Sequence, residues 1–229
     1  MSFPTNKKNV NVNPWAALVG GVLLFITSFL YSSGTWLYPA FSVYGFYIVI
    51  VFLSELYRHK SNPLNNWAYF ILGQIFVALP FSLLNFILFI DEWQPLVLLS
   101  VFVTIWVNDT GAYLIGITFG KHRLFERISP KKSWEGFFGG AAAALLSGYV
   151  FSLLIPQISL INWLIFSEII VIFGTFGDLV ESLMKRTVDM KDSGNVIPGH
   201  GGLLDRFDSM LLAAPVVFIY LSFLFHQAK

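Results

Sequence analysis

The stretch INWLIFSEIIVIFGTFGDL, residues 161–179, is almost wholly apolar, and the segment that soon follows it is the opposite. Residues 182–209 read SLMKRTVDMKDSGNVIPGHGGLLDRFDS, with lysines, arginines, aspartates, a histidine and four glycines. About 20 consecutive apolar residues carry a helix across a bilayer, so the first stretch is a membrane span. A loop that only solubilised its neighbours would need a few charges. Alternating cations, carboxylates and flexible backbone instead suit phosphates and a metal ion.

Outward from there the same alternation of apolar run and polar segment recurs. The chain has 229 residues, of which 56% are hydrophobic and 12% charged, whereas soluble domains carry about a quarter charged residues. We place seven spans, at roughly 15–33, 36–54, 67–90, 94–118, 136–155, 161–179 and 206–226. Backbone polar groups in hydrocarbon must be satisfied internally, so the fold expected is an all-α polytopic helical bundle. It forms one membrane domain over residues 1–229, with its chemistry concentrated in about 105–210. The first span follows Lys7 and Lys8 but lacks a small-residue cleavage site, so it is expected to be retained. The first 100 residues otherwise show only generic hydrophobicity. The chain has no cysteine, which excludes disulfides, iron–sulfur clusters and thiolate nucleophiles.

Basic residues orient the spans. With a cytoplasmic N-terminus, 13 of the 14 Lys and Arg residues fall on the inside and only Lys229 on the outside. Both large polar segments, FGKHRLFERISPKKSWEG (119–136) and residues 182–209, then face the cytoplasm, where nucleotides are. The C-terminus lies outside. Gly136, Gly140, Ala144 and Gly148 recur every four residues and give one helix a face of small residues for close packing.

Several charges sit where a bilayer disfavours them. Asp109, beside Asn108 and Thr110, lies about nine residues inside the fourth span, roughly 14 Å at helical rise. It requires water, a cation or a partner there. Asp178, Ser182 and Lys185 share a helix face if the sixth span continues, and an exposed Glu181–Lys185 pair accounts for Glu181. Asp205 and Asp208 open the last span three residues apart, where acids are favoured by the helix dipole. Ser129 and Pro130 read as the cap and first turn of the fifth span, leaving Lys131, Lys132 and Ser133 to meet an anion at a helix N-terminus. Zinc is not expected at His200, because His59, His122 and His226 show no ligand spacing and no cysteine is present. Carboxylates beside phosphate-binding groups suit Mg²⁺.

The run from Ser182 to Asp208 (Ser-x-x-Lys-Arg, then Lys-Asp, then Pro-x-His-Gly-Gly-x-x-Asp-Arg-x-Asp) resembles the signature of phosphatidate cytidylyltransferases, or CDP-diglyceride synthases. DTGAY, FGKH, SPKKSWEG and GDLVES resemble the family's other blocks, in the family's order. The resemblance implies the reaction of CTP with phosphatidate to give CDP-diacylglycerol and diphosphate in phospholipid biosynthesis, at the inner cell membrane. It implies Mg²⁺, with room for a second monovalent or divalent cation.

By that match, Asp178 and Asp205 are expected to bind the metal, with Asp208 and Asp109 ranked behind them. Lys185 and Arg206 act in catalysis with Asp178 and Asp205. Lys131, Lys132, Ser133, Ser182, Arg186, Lys191, Asp192, His200, Gly201 and Gly202 contact substrate. The partners expected are CTP, phosphatidic acid and membrane lipids, with a homodimer as an assembly to test and no nucleic acid. A CTP-dependent lipid kinase or a CDP-archaeol-type synthase would share the nucleotide and metal chemistry. A transporter would also place acids in the membrane, but would leave the two basic, phosphate-suited segments on one face unexplained.

Overall fold

The structure is a computed structural model that describes residues 11–36, 39–59, 62–90, 94–187 and 204–227. Among them, seven helical stretches are long and apolar enough to cross a membrane: Pro14–Ser32, Ala40–Arg58, Pro63–Leu88, Pro95–Phe119, Trp134–Leu154, Leu160–Thr187 and Asp208–Phe225. The protein is thus all-α and multi-pass, with the span number its hydropathy implies. The largest shift is in the sixth span, which continues unbroken to Thr187. The chain forms two compact units, Met1–Phe89 and Ile90–Lys229.

In the N-terminal unit, α1 (Pro14–Ser32), α2 (Pro39–Arg58), α3 (Pro63–Gly73) and α4 (Leu79–Leu88) are helical. Two starts share one chemistry. Asn13 accepts from the backbone N–H of Trp15 at 3.0 Å, and Asn62 from that of Asn65 at 3.2 Å, each followed by a proline whose missing N–H costs nothing there. A π-helical turn, Gln74–Ala78, joins α3 to α4 just before Pro80. Proline cannot donate to the carbonyl four residues back and crowds it, and a widened turn absorbs that conflict.

This unit is more than a set of greasy helices. Gln74 donates to the Ala17 carbonyl at 3.0 Å, Asn85 to the Phe25 carbonyl at 3.0 Å, and Tyr47 to the Ala16 carbonyl at 2.7 Å. At one end, buried Glu55 accepts from Asn66 at 3.1 Å and pairs with Arg58, whose guanidinium also donates to the Asn11 carbonyl at 2.8 Å. The generic hydrophobicity of the first 100 residues therefore conceals buried side-chain polar bonds that fix helix register.

In the C-terminal unit, α5 (Gln94–Phe119), α6 (Trp134–Leu154), α7 (Leu160–Thr187) and α8 (Asp208–Gln227) pack in succession. Small residues set their spacing. A Cβ on Gly111 would stand 2.7 Å from that of Ala143, and one on Gly136 2.8 Å from the Ala112 carbonyl oxygen, so α5 and α6 meet backbone to backbone. Gly148, on the same face of α6, meets α7, and Thr104 and Ser147 share a buried 3.0 Å hydrogen bond between α5 and α6. The four-residue spacing is the packing face it promised to be.

Gly148→Ala should destabilise the protein by about 1–3 kcal/mol, because the added methyl would sit 2.9 Å from the Trp163 carbonyl oxygen. Gly45→Ala, with open space around its Cβ, should leave stability unchanged or raise it by about 0.5–1 kcal/mol through helix propensity. Thermal unfolding of the two variants side by side in one detergent checks the contrast.

Candidate active site

The polar segment between α5 and α6 folds into a small antiparallel hairpin, β1 (Arg123–Phe125) with β2 (Ser129–Ser133). Glu135, in the first turn of α6, closes its base. It accepts from the backbone N–H groups of Lys121 and His122 at 3.1 and 3.2 Å and meets His122 Nδ1 at 2.6 Å. This hairpin corrects the expected helix start: Ser129 and Pro130 belong to β2, and Ser133 is the cap, accepting from the Gly136 N–H at 3.1 Å. Cross-strand pairing of Arg123 with Ser133 keeps this segment extended up to Trp134. Lys131 and Lys132 consequently project from a strand, ahead of the helix.

That change of address matters to Lys132, which forms an ion pair with Asp178 of α7 across 46 residues of sequence. Asp178 also accepts from Ser182 Oγ at 3.2 Å, one helical turn on. Gly177, beside it, lies against α8 so closely that a Cβ would stand 2.7 Å from the Asp208 carbonyl oxygen. Asp178 and Asp208 therefore enter one space from two helices. Asp208 accepts from the N–H of the next residue, Ser209, at 2.6 Å and stands in the first turn of α8, at its positive end.

A second cluster lies on the same flank. Lys185 stands 2.5 Å from Glu181 and 2.6 Å from Asp205, which sits in a single 3₁₀ turn, Leu204–Arg206, ahead of α8. The Glu181–Lys185 pair is not an exposed surface pair as expected: Glu181 is 2% exposed. The 3₁₀ turn and α8 close over α7 there, which residue spacing within α7 alone could not reveal.

These elements enclose a cavity of about 490 Å³. Asp109, Asp178, Asp205 and Asp208 line it together with Lys131, Lys132, Ser133 and Arg206. One side is α5, through Trp106, Asp109, Tyr113 and Gly116, which recur at helical spacing on one face. Trp106 and Tyr113 stand at helical spacing from Asp109 and are legible in the sequence, whereas no sequence signal marks Thr175 and Phe137. Ser182 is tied to Asp178 and Lys185 to Asp205, but neither lines the cavity, and the exposed Arg186 does not line it either. Lys191, Asp192, His200, Gly201 and Gly202 lie outside the described residues.

Chemically, the cavity offers hard carboxylate oxygens and lysine and arginine cations at the end of membrane-length helices. Among the described residues, no three Asp, Glu or His groups converge tightly enough to hold an ion by themselves.

Comparison with known proteins bears on the chain as a whole. The model of the Cytidylyltransferase family matches residues 4–224. A phosphatidate cytidylyltransferase of Bacillus subtilis (strain 168) is 41% identical over 155 residues, covering 66% of this chain and 56% of that protein. One from Staphylococcus epidermidis is 45% identical over 126 residues, 54% of this chain and 48% of the relative. The chain thus spans about half the length of these relatives. A phosphatidate cytidylyltransferase of Rickettsia felis is 35% identical over 219 residues, 90% of this chain and 91% of its own length.

Lys185→Met should cost about 3–5 kcal/mol of stability, since it strands the buried Glu181 without its cation. Adding Glu181→Gln should restore much of that loss. Denaturation of the single and double variants tests the pair, and an unchanged stability for Lys185→Met would show that Glu181 is not held as a charge.

Proposed function

The chain belongs to the cytidylyltransferase family, and from that premise we propose that it transfers a cytidylyl group from CTP to phosphatidic acid, giving CDP-diacylglycerol and diphosphate. The observation that carries this reading is a cavity lined at once by Asp109, Asp178, Asp205 and Asp208 and by Lys131, Lys132 and Arg206. Transfer of a nucleotide to a lipid phosphate brings several anionic groups together, and such a site must answer their charge.

In the reaction, an oxygen of the lipid phosphate attacks the α-phosphorus of CTP. The bond from that phosphorus to the oxygen bridging to the β-phosphorus breaks, and the electron pair departs with diphosphate. The nucleophile is already an anion, so no strong base is required; positioning and charge neutralisation supply the catalysis. Lys131, Lys132 and Arg206, which line the cavity, serve as phosphate clamps, Arg206 through its planar fork, and Lys185 positions Asp205. Asp178 and Asp205 would hold Mg²⁺, with Asp208 and Asp109 beside them, and the ion would supply charge neutralisation at the phosphates when bound. Trp106 and Tyr113, within the membrane-length part of α5, suit the glycerol and acyl portion of a lipid that enters sideways.

The cavity and hairpin face the cytoplasm in this reading, with the N-terminus on the same side and the C-terminus outside the inner cell membrane. The charge pattern of the sequence supports it: with a cytoplasmic N-terminus, 13 of the 14 Lys and Arg residues fall in segments that alternate to the inside. Cysteines introduced into this cysteine-free chain at Arg127 and Gln157 should label from opposite faces in intact cells. Labelling from the same face would overturn the orientation.

For the reaction itself, diphosphate release from CTP by the purified protein should require both phosphatidate and a divalent cation. Release of CDP in place of diphosphate would mark a lipid kinase instead. Asp178→Asn should abolish nearly all turnover while the protein still inserts. Arg206→Ala should lower kcat/KM by at least about tenfold, and Arg206→Lys should recover only part of it. Full recovery with lysine would leave Arg206 no bidentate role.

A further inference from the structure

The hairpin between α5 and α6 has an inner and an outer side, and the proposed chemistry uses only the inner one. Leu124, Lys131, Lys132 and Ser133 line the cavity. Arg123 and Phe125 flank Leu124 on β1 and are exposed, as are Lys121 and Arg127. None of the side chains of Lys121, Arg123 or Arg127 has an ion-pair partner among the described residues. Exposed aromatic rings accompany them: Phe119 at the end of α5, Phe125 at the hairpin, and Trp134 and Phe138 at the start of α6.

The position of these groups is fixed. Only residues 120–133 separate two membrane-length helices, so the hairpin cannot stand far from the lipid surface. Its base is locked by Glu135 to the N–H groups of Lys121 and His122 and by a 2.9 Å bond from the Trp134 N–H to the His122 carbonyl. Lys132 pins its second strand to α7. Thus the backbone that carries the outer cations is held in place beside the cavity. Cations interleaved with aromatics at a helix end match what an anionic bilayer surface recognises, the rings seating among headgroups and the cations drawn by surface charge.

We propose that the outer face of this hairpin docks on anionic phospholipid headgroups of the bilayer that holds the protein, through Lys121, Arg123 and Arg127, with Phe125 and Trp134 seated at the interface. The acid nearest these cations along the chain, Glu126 at the turn, is exposed and weakens their field without cancelling three positive charges. The inference rests on the membrane-length helices and the hairpin geometry and not on the reaction proposed above.

The test uses the full chain with Glu126→Cys as its single cysteine, carrying a spin label, in vesicles of phosphatidylcholine alone or mixed with phosphatidylglycerol. Collision of the label with a water-soluble nickel chelate reports how far the hairpin tip is withdrawn from water. Anionic lipid should reduce that collision by about threefold or more, and about 1 M salt, which screens charge within about 3 Å, should reverse the change. Lys121→Gln, Arg123→Gln and Arg127→Gln together should abolish the dependence on phosphatidylglycerol. Equal accessibility in the two lipids, or a dependence that survives both salt and the triple substitution, would overturn the proposal. No nucleotide is present and no turnover is read, so the outcome is separate from that of the proposed reaction.

Discussion

Helices in hydrocarbon gain little by burying apolar side chains against one another, because lipid tails are equally apolar; how closely their backbones approach then governs how firmly they pack. In the C-terminal unit that approach is made by glycine at each successive contact: Gly111, Gly136, Gly139 and Gly140 between α5 and α6, Gly148 between α6 and α7, and Gly177 between α7 and α8. At most of these, a single added carbon would overlap a backbone carbonyl or a buried side chain. The rest of the structure depends on this closeness. With α7 drawn onto the start of α8, Asp178 and Asp208 share a cavity, and with α5 drawn onto α6, Asp109 and the hairpin form its other sides.

Such closeness concentrates carboxylates, and a membrane end tolerates them only if they are answered. The structure answers them with lysines from different elements. Lys132 comes from a strand to Asp178, and Lys185 stands within its own helix between Glu181 and Asp205. Each pair ties two segments that would otherwise be free to drift: the hairpin to α7, and the 3₁₀ turn before α8 to the end of α7. The same contacts that hold the fold thus hold the groups through which the cavity would meet phosphates.

The N-terminal unit shows the other way of securing membrane helices. There, amide side chains reach across to carbonyls of neighbouring helices, as Gln74 does to Ala17 and Asn85 to Phe25, and Glu55, Asn66, Arg58 and Asn11 close one end. Each such bond has a fixed reach, so it sets register more sharply than apolar packing can. A polar side chain in an apolar run carries no sign of which carbonyl it will find, so nothing in the first 100 residues distinguishes these positions beforehand.

What the amino-acid order determined by itself is whatever depends on neighbours along the chain. Seven apolar runs of membrane length dictate seven spans, because a helix is the economical way for one segment to satisfy its own backbone in lipid. The small-residue spacing of α6 and the order of the motif blocks are local in the same sense. Tertiary structure alone decided the rest. Ser133, and not Ser129, caps α6 because the hairpin holds residues 129–133 extended, and Glu135 closes that hairpin by reaching back to Lys121 and His122. Glu181 is buried where the 3₁₀ turn Leu204–Arg206 and α8 meet α7, and Lys132 finds Asp178 only when a strand and a helix far apart in sequence are brought together. Hydropathy and helical spacing are properties of one segment; a charge partner is chosen through space, by whichever backbone can come close enough.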